Sequence, residues 1–238
     1  MLAIIGGSNL RNRMAGEDNE RIQVETEYGT VKLVKTIKYV FCQRHGLDKA
    51  DYVPPHSINH QANLKALASF NPKAIIGFTS VGSLKAEIVP GTVMIPDDYF
   101  SPFLNKTFFD KLNPRAITPG FDDELQKWLS ELLNKNNIEH MNKGSYALMQ
   151  GPRFETRSEI KFLSQYAEVV GMTAAHEATL AKELEIPYAL ISMIDNYANG
   201  VAEKTLSFAD FEKGVEENFN TVMTIFNLIV ENFNSYSR

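Results

Sequence analysis

Six short polar segments recur along the chain, and each contains side chains able to bind an anion or a heterocycle. The segments are Gly6–Ser8, Arg44–Gly46, Thr79–Ser83, Gln150–Thr156, Gly171–Thr173 and Asp195–Ala198. Each directly follows a short apolar run rich in β-branched residues, which is typical of a buried strand. Open α/β sheets bind ligands at the carboxyl ends of their strands, so we expect these segments to meet at one edge of a sheet.

Several of these segments have residue types suited to phosphate. Gly6 and Gly7 let the backbone approach an anion closely, and Ser8 adds a hydroxyl. Arg44 offers a planar guanidinium that matches phosphate oxygens bidentately, and Thr173 precedes a predicted helix whose N-terminus favours anions. Each feature alone has a plain structural alternative: a tight turn, a surface cation or an ordinary N-cap.

Other polar residues are suited to a heterocycle. Phe154 can pack on the face of a ring, and the Glu155 carboxylate can accept two donors from its edge. Asn196 combines an acceptor and donors in one amide. The structural alternative for Gln150–Thr156 is a capping box formed by Thr156 and Glu159, which is compatible with the binding role.

Strand and helix patterns alternate over the whole chain, which predicts a single-domain, three-layer α/β sandwich over residues 1–238. The predicted strands are Leu2–Ile5, Tyr39–Cys42, Ala74–Phe78, Thr92–Ile95, Tyr146–Met149, Val169–Val170 and Tyr188–Met193. The predicted helices are Ser57–Phe70, Phe121–Leu133, Ser158–Tyr166, Ala174–Leu184 and one long helix over Ser207–Phe233. An antiparallel hairpin around Thr26–Thr30 makes the predicted sheet mixed.

Composition excludes several classes of protein. The formal net charge of −5 disfavours general binding of nucleic acid. No apolar run reaches the length of a membrane span, and the N-terminus has no signal-peptide pattern. Cys42 is the single cysteine, which predicts a reducing, cytoplasmic location without disulfides, and no Cys or His cluster has metal-ligand spacing.

The ordered set of motifs resembles the family of trimeric purine nucleoside phosphorylases and methylthioadenosine phosphorylases. The resemblance covers nearly the whole chain and rests on the following motifs: Ile4–Ser8, Arg44–Gly46, Ile58–Asn63 with Ala66-Leu67, Thr79–Leu84, Pro90-Gly91, Gln150–Thr156, and Gly171–Thr173 with Glu177-Ala178. It implies a mixed α/β sandwich with a distorted sheet, phosphorolysis of a purine nucleoside, and a homotrimer. It also implies inorganic phosphate as co-substrate and no metal or organic cofactor.

Site roles carried over from the resemblance divide into two groups. The residues expected to bind phosphate are Ser8, Arg44, His45, Thr79, Ser80 and Thr173. The residues expected to bind the purine and ribose are Phe154, Glu155, Met172, Asn196 and Phe208. Asn196, Glu155 and Arg44 are the expected catalytic residues.

The residue types favour a 6-oxopurine. The Glu155 carboxylate can accept from N1–H of hypoxanthine or guanine, whereas adenine has no N1–H. Phe208 stands where related enzymes for ordinary nucleosides present a histidine to the 5′-hydroxyl, and an apolar ring suits a methylthio group. The preferred substrate is therefore S-methyl-5′-thioinosine, in similarity to the bacterial enzymes that cleave it. Inosine or guanosine and methylthioadenosine remain the alternatives.

Some local features depart from the family. Leu47–Val53 replaces a stretch that often carries a further histidine, so Tyr52 or His56 are candidates to replace its ribose contact. Arg11–Arg13 stands where a glycine is frequent. The region Phe108–Thr118 is the expected contribution to a neighbouring subunit's site. A nucleoside hydrolase and a non-catalytic nucleoside-binding protein are the rival functions.

Overall fold

A mixed sheet forms the centre of the computed structural model, which describes residues 1–10, 19–103, 106–109 and 116–237. Within these residues the strands are β1 (Leu2–Gly6), β2 (Glu20–Thr26), β3 (Gly29–Lys35), β4 (Tyr39–Gln43), β5 (Ala74–Ser83), β6 (Val93–Met94), β7 (Asp98–Phe100), β8 (Ser145–Leu148), β9 (Val169–Gly171) and β10 (Tyr188–Tyr197). Every predicted strand is present, so the predicted mixed sheet is confirmed.

The strand order runs β2-β3-β4-β1-β5-β9-β8-β7, and β10 pairs with β5 and β6 away from this path. The pairs β1–β4, β1–β5 and β5–β10 are parallel. The β2–β3 hairpin, the β3–β4 pair and the β5–β9 pair are antiparallel. The parallel centre brings the carboxyl ends of β1, β4, β5 and β10 to one edge, as the sequence predicts.

Helices cover both faces of the sheet. They are α1 (His60–Ala68), α2 (Asp123–Lys135), α3 (Arg157–Leu163), α4 (Ala174–Glu183), α5 (Phe208–Glu217) and α6 (Phe219–Asn232). Residues of β1 alternate between two cores: Ala3 and Ile5 pack with α1 and α4, whereas Leu2 and Ile4 pack with α2 and α6. The predicted three-layer α/β sandwich is therefore confirmed.

The prediction of one long C-terminal helix is wrong. The helix ends at Glu217 and a second begins at Phe219, with Asn218 between them. The Asn218 side chain turns inward, where Nδ2 donates to Asp195 Oδ1 at 2.8 Å and to the Ile194 carbonyl at 3.3 Å. The apolar residues of the sequence keep their helical spacing across this break, from Phe208 to Ile229.

The short strand β7 is absent from the sequence predictions because it contains an aspartate and no apolar run. It pairs in parallel with β8 at the end of the sheet. None of the helices in the described ranges is long and apolar enough to span a lipid bilayer.

Candidate active site

A cavity of about 550 Å³ lies at the carboxyl ends of the central strands. Every residue predicted for the site lines it: Ser8, Arg44, His45, Thr79, Ser80, Phe154, Glu155, Met172, Thr173, Asn196 and Phe208. The chain therefore brings together side chains separated by up to two hundred residues, as expected for a single binding site at the edge of a sheet.

Three of these residues lie within strands rather than after them, contrary to the sequence prediction. Thr79 and Ser80 belong to β5, and Asn196 belongs to β10. These two strands stay paired from Tyr188 to Tyr197 because the register shifts between Ile194 and Asn196, which accommodates Asp195 as an extra residue. The shift places Asn196 opposite Gly82, on the wall of the cavity.

Arg44 forms a buried ion pair below the cavity. Its Nε donates to Glu177 Oε1 at 2.6 Å and its Nη2 to Oε2 at 2.9 Å. The Tyr188 hydroxyl donates to the same carboxylate at 2.8 Å, and Gly77 leaves room for that hydroxyl because a Cβ there would overlap it. Burial opposes the charge on Arg44, but Glu177 outweighs it and raises the pKa of Arg44.

The ion pair determines how much of Arg44 faces the cavity. The edge formed by Nε and Nη2 is bound to Glu177, so this edge does not provide the predicted bidentate grip on phosphate. Nη1 donates to the Phe78 carbonyl at 2.7 Å and lies 2.5 Å from where a Cβ of Gly7 would be. Gly7 is thus needed for the close packing of its backbone on the guanidinium, and Nη1 is the nitrogen that Glu177 leaves unbound.

Thr173 precedes α4 without capping it through its side chain. The backbone N–H groups of Thr173 and Ala174 both donate to the buried Tyr146 hydroxyl, at 3.1 and 3.3 Å. Burial raises the pKa of Tyr146 to about 12, so this hydroxyl stays neutral. Thr173 therefore occupies the N-cap position without a side-chain capping bond, and the amides of Thr173 and Ala174 are already bonded. The Thr173 hydroxyl remains the group that this residue presents to the cavity.

His45 is held by its own loop. Its Nδ1 lies 2.9 Å from the Val53 carbonyl oxygen, which requires a proton on Nδ1. The ring stacks on Tyr52 with centroids 5.8 Å apart. Tyr52 also lines the cavity, whereas His56 is exposed and is not among the lining residues. Of the two candidates for a ribose contact, the structure brings only Tyr52 to the site.

The cavity is also lined by the groups predicted to face a heterocycle. Glu155 is 6% exposed, and burial raises the pKa of its carboxyl group. Asn196 Nδ2 donates to the Tyr197 carbonyl at 2.9 Å, which fixes the orientation of the amide. The capping box of Thr156 and Glu159 is also present, so both interpretations of this segment hold together.

An apolar wall closes the end of the cavity next to α5. Phe208 is the first residue of α5 and is 61% exposed, with its ring centroid 5.7 Å from that of Phe211. Phe211 in turn lies 6.3 Å from Phe154. Sequence reasoning missed Phe211 and Leu206 as lining residues; the spacing of Phe208 and Phe211, one helical turn apart, was the available signal.

Two sequence predictions fall partly or wholly outside the described residues. Arg11–Arg13 lies entirely within the range 11–18, which is not described. Residues 110–115 of the region Phe108–Thr118 are not described either. Phe108 itself packs on Tyr28 of its own chain at 5.4 Å between ring centroids.

Comparison with known proteins shows extensive similarity. The family model described as the phosphorylase superfamily matches residues 1–231. A probable 6-oxopurine nucleoside phosphorylase of Archaeoglobus fulgidus is 37% identical, over 94% of this chain and 93% of the relative. A probable S-methyl-5′-thioinosine phosphorylase of Methanocaldococcus jannaschii is 34% identical, over 99% of this chain and 92% of the relative.

A solved structure, methylthioadenosine phosphorylase from Schistosoma mansoni in complex with adenine, superposes with a TM-score of 0.88. The alignment covers 99% of this chain and 92% of that chain at 21% identity. At that level of identity the superposition shows that the two chains share a fold.

Proposed function

The chain belongs to the phosphorylase superfamily, and from that premise we propose that its cavity catalyses phosphorolysis of a 6-oxopurine nucleoside. Inorganic phosphate replaces the purine at C1′ of the ribose, so the products are a free base and a ribose 1-phosphate. The preferred substrate is S-methyl-5′-thioinosine, which gives 5-methylthioribose 1-phosphate. The enzyme is a pentosyltransferase of purine salvage.

One observation carries the proposal: a carboxylate and an amide line the same cavity as a set of hydroxyls and a guanidinium. Glu155 and Asn196 suit the edge of a purine, and Ser8, Arg44 and Thr173 suit an anion. A nucleoside phosphorolysis site needs both sets of groups, because phosphate attacks C1′ on the side opposite to the departing base.

The groups present support a 6-oxopurine. Glu155 in its ionised form accepts from N1–H, which adenine lacks. Asn196 accepts from a protonated N7 through its oxygen and donates to O6 through its amide nitrogen. Glycosidic cleavage leaves negative charge on the purine, so these interactions strengthen as the bond breaks.

The phosphate half supports the transition state electrostatically. Positive charge develops on the ribose ring as the bond breaks, and a phosphate below C1′ stabilises it. His45, Thr79 and Ser80 line the cavity with Ser8, Arg44 and Thr173. Met172 also lines it and is the residue expected to pack under the ribose. The reaction requires phosphate as co-substrate and uses no metal or organic cofactor.

The wall at α5 supports a methylthio group at the 5′ position. Phe208, Phe211 and Leu206 are apolar, and a 5′-hydroxyl placed against them would lose its hydrogen bonds to water. Relatives named as S-methyl-5′-thioinosine phosphorylases favour the same choice. Inosine or guanosine is the second candidate, because other relatives are named 6-oxopurine nucleoside phosphorylases.

Assembly and location follow from the family resemblance. We propose a cytoplasmic homotrimer of single-domain subunits with residues 1–238 in each. Sedimentation velocity tests the trimer: a mass corresponding to one or two copies of the 26.8 kDa chain would contradict it.

The deciding experiment measures base release from inosine, adenosine, methylthioinosine and methylthioadenosine, each with and without inorganic phosphate. The proposal expects release only with phosphate, and the highest kcat/KM with methylthioinosine. Equal release without phosphate would establish a hydrolase. Binding of all four compounds without base release would establish a nucleoside-binding protein.

A further inference from the structure

We propose that Asp195 is a positioning residue whose protonation decides whether the Ser80 hydroxyl donates a hydrogen bond to phosphate. The inference rests on the proposed phosphate site. Asp195 does not line the cavity, whereas Ser80 does, and the Ser80 hydroxyl donates to Asp195 Oδ2. A hydroxyl has one proton, so while it donates to Asp195 it can offer phosphate only lone pairs. The site residue Ser80 is therefore in the wrong orientation for an anion as long as Asp195 is ionised.

The surroundings of Asp195 make this proton easy to gain. Its carboxyl group is 4% exposed and its second oxygen, Oδ1, accepts from Asn218 Nδ2 at 2.8 Å. Among the described residues, the groups that face it are neutral: Ser80 from β5, Asn218 from the junction of α5 and α6, and Gly214 from α5, where a Cβ would overlap the Asp195 carbonyl. Burial raises the pKa of Asp195 to about 6, although both hydrogen bonds oppose the rise, and no cation contacts it within the described part of the chain.

Proton uptake reverses the hydrogen bond. Protonated Asp195 donates from Oδ2 to Ser80 Oγ, and the Ser80 hydroxyl proton turns toward the cavity, where a phosphate oxygen accepts it. Asn218 continues to donate to Oδ1 in both states, so the carboxyl group keeps its place. A bound phosphate dianion favours protonated Asp195 for two reasons. The phosphate gains the Ser80 hydroxyl as a donor, and it is no longer repelled by a negative charge on Asp195. The proton comes from the buffer, so phosphate binding takes up a proton at Asp195.

The variant Asp195→Asn imitates the protonated state. Its amide nitrogen donates to Ser80 Oγ and its oxygen accepts from Asn218, so Ser80 is left with its proton toward the cavity. A residue that merely supported the structure would weaken phosphate binding when changed. Here the variant is expected to bind inorganic phosphate about three- to tenfold more tightly than wild type at about pH 8, which corresponds to one additional hydrogen bond.

Titration calorimetry of the full chain with inorganic phosphate tests the proposal. Measured in two buffers of different ionisation enthalpy, wild type is expected to take up more protons per phosphate than Asp195→Asn. Proton exchange by phosphate itself is common to both proteins and cancels in the difference. Asp123→Asn, an exposed carboxylate in the first turn of α2, is the matched control and should behave as wild type.

The variant Ser80→Ala separates coupling through the hydroxyl from a general charge effect. In this background Asp195→Asn should change phosphate affinity by less than about twofold. If Asp195→Asn does not fold, Ser80→Ala alone still decides: its loss of affinity should be larger at about pH 6 than at about pH 8.

Equal affinity and equal proton uptake in wild type and Asp195→Asn would overturn the proposal. A pH-independent effect of Ser80→Ala would overturn it too. Phosphate binding with this pattern but no base release would contradict the proposed function alone, and no phosphate binding would contradict both.

Discussion

Arg44 and Glu177 form a bidentate ion pair whose side chains are 0% and 1% exposed, directly beneath the cavity. The pair joins the loop after β4 to helix α4, and it neutralises the guanidinium that the sequence marks for phosphate. His60 lies beside it, with Nδ1 3.8 Å from Glu177 Oε1. Burial lowers the pKa of His60 well below its usual value, so His60 adds no positive charge there.

Glu177→Gln is expected to destabilise the protein by about 3–5 kcal/mol, because it leaves the Arg44 charge buried without its partner. Urea denaturation measures the loss. Glu217→Gln is the control: it removes an exposed pair with Lys213 and should change the free energy of unfolding by less than about 1 kcal/mol. Equal effects of the two substitutions would show that the buried pair contributes no more than an exposed one.

Asn196→Ala is expected to lower kcat on methylthioinosine by about 10²–10³, because we propose that the amide stabilises charge that develops on the purine. Steady-state kinetics at saturating phosphate measure it. Asn220→Ala changes an exposed asparagine of α6 and should leave kcat unaltered. Turnover of Asn196→Ala at the wild-type rate would remove Asn196 from the catalytic residues.

Glu155 predicts a loss of nucleoside affinity in acid. Its pKa is raised by burial, and only the ionised form accepts from N1–H, so affinity is lost as pH falls through that raised pKa. KM for methylthioinosine should therefore increase at mildly acidic pH. Glu155→Gln should have a KM at least about tenfold higher at neutral pH, without this acid limb. An acid limb that persists in Glu155→Gln would assign it to another group.

Phe208 predicts selectivity at the 5′ end. Phe208→Ala should lower kcat/KM for methylthioinosine about tenfold while changing that for inosine little, because apolar contact is lost only with the methylthio group. Phe208→His should shift the ratio of the two further toward inosine. A parallel loss with both substrates would show that Phe208 does not distinguish them.

The close approach of Gly214 to β10 limits the size of the side chain at this position of α5. A Cβ at this position would overlap the carbonyl oxygen of Asp195, so Gly214→Ala is expected to cost about 1–3 kcal/mol of stability despite the better helix propensity of alanine. Thermal unfolding measures it. Glu212→Ala, at an exposed position of the same helix, should be neutral or slightly stabilising. A stabilised Gly214→Ala would mean that α5 moves without penalty.

Much of the molecule was predictable because its signals are local. Apolar runs such as Ala74–Phe78 are buried strands wherever they occur, and the parallel sheet then brings their ends together. The cavity residues followed from that rule and from the family resemblance.

The remaining features depend on contacts between distant segments. Nothing next to Arg44 in the sequence reveals that its guanidinium is bound to the Glu177 carboxylate. The sequence likewise does not reveal that the Tyr146 hydroxyl accepts hydrogen bonds from the amides at the start of α4. The helix break at Asn218 is set by Asp195, a residue on another element, while the local apolar period runs on unbroken. Asp195 itself stood next to Asn196 in the sequence, but its burial is a property of the bulged strand pairing.

The break between α5 and α6 also separates a helix that lines the cavity from a helix that builds the core. Helix α6 buries Val222, Ile225, Phe226 and Ile229 in the core, whereas Gly214 is the buried residue of α5. Apart from Gly214, substitutions along α5 are therefore expected to cost little stability, and they alter the apolar wall that we propose faces the 5′ group. In the proposed site, selectivity at the 5′ end and stability of the fold therefore depend on two different helices, so that one can be altered without the other.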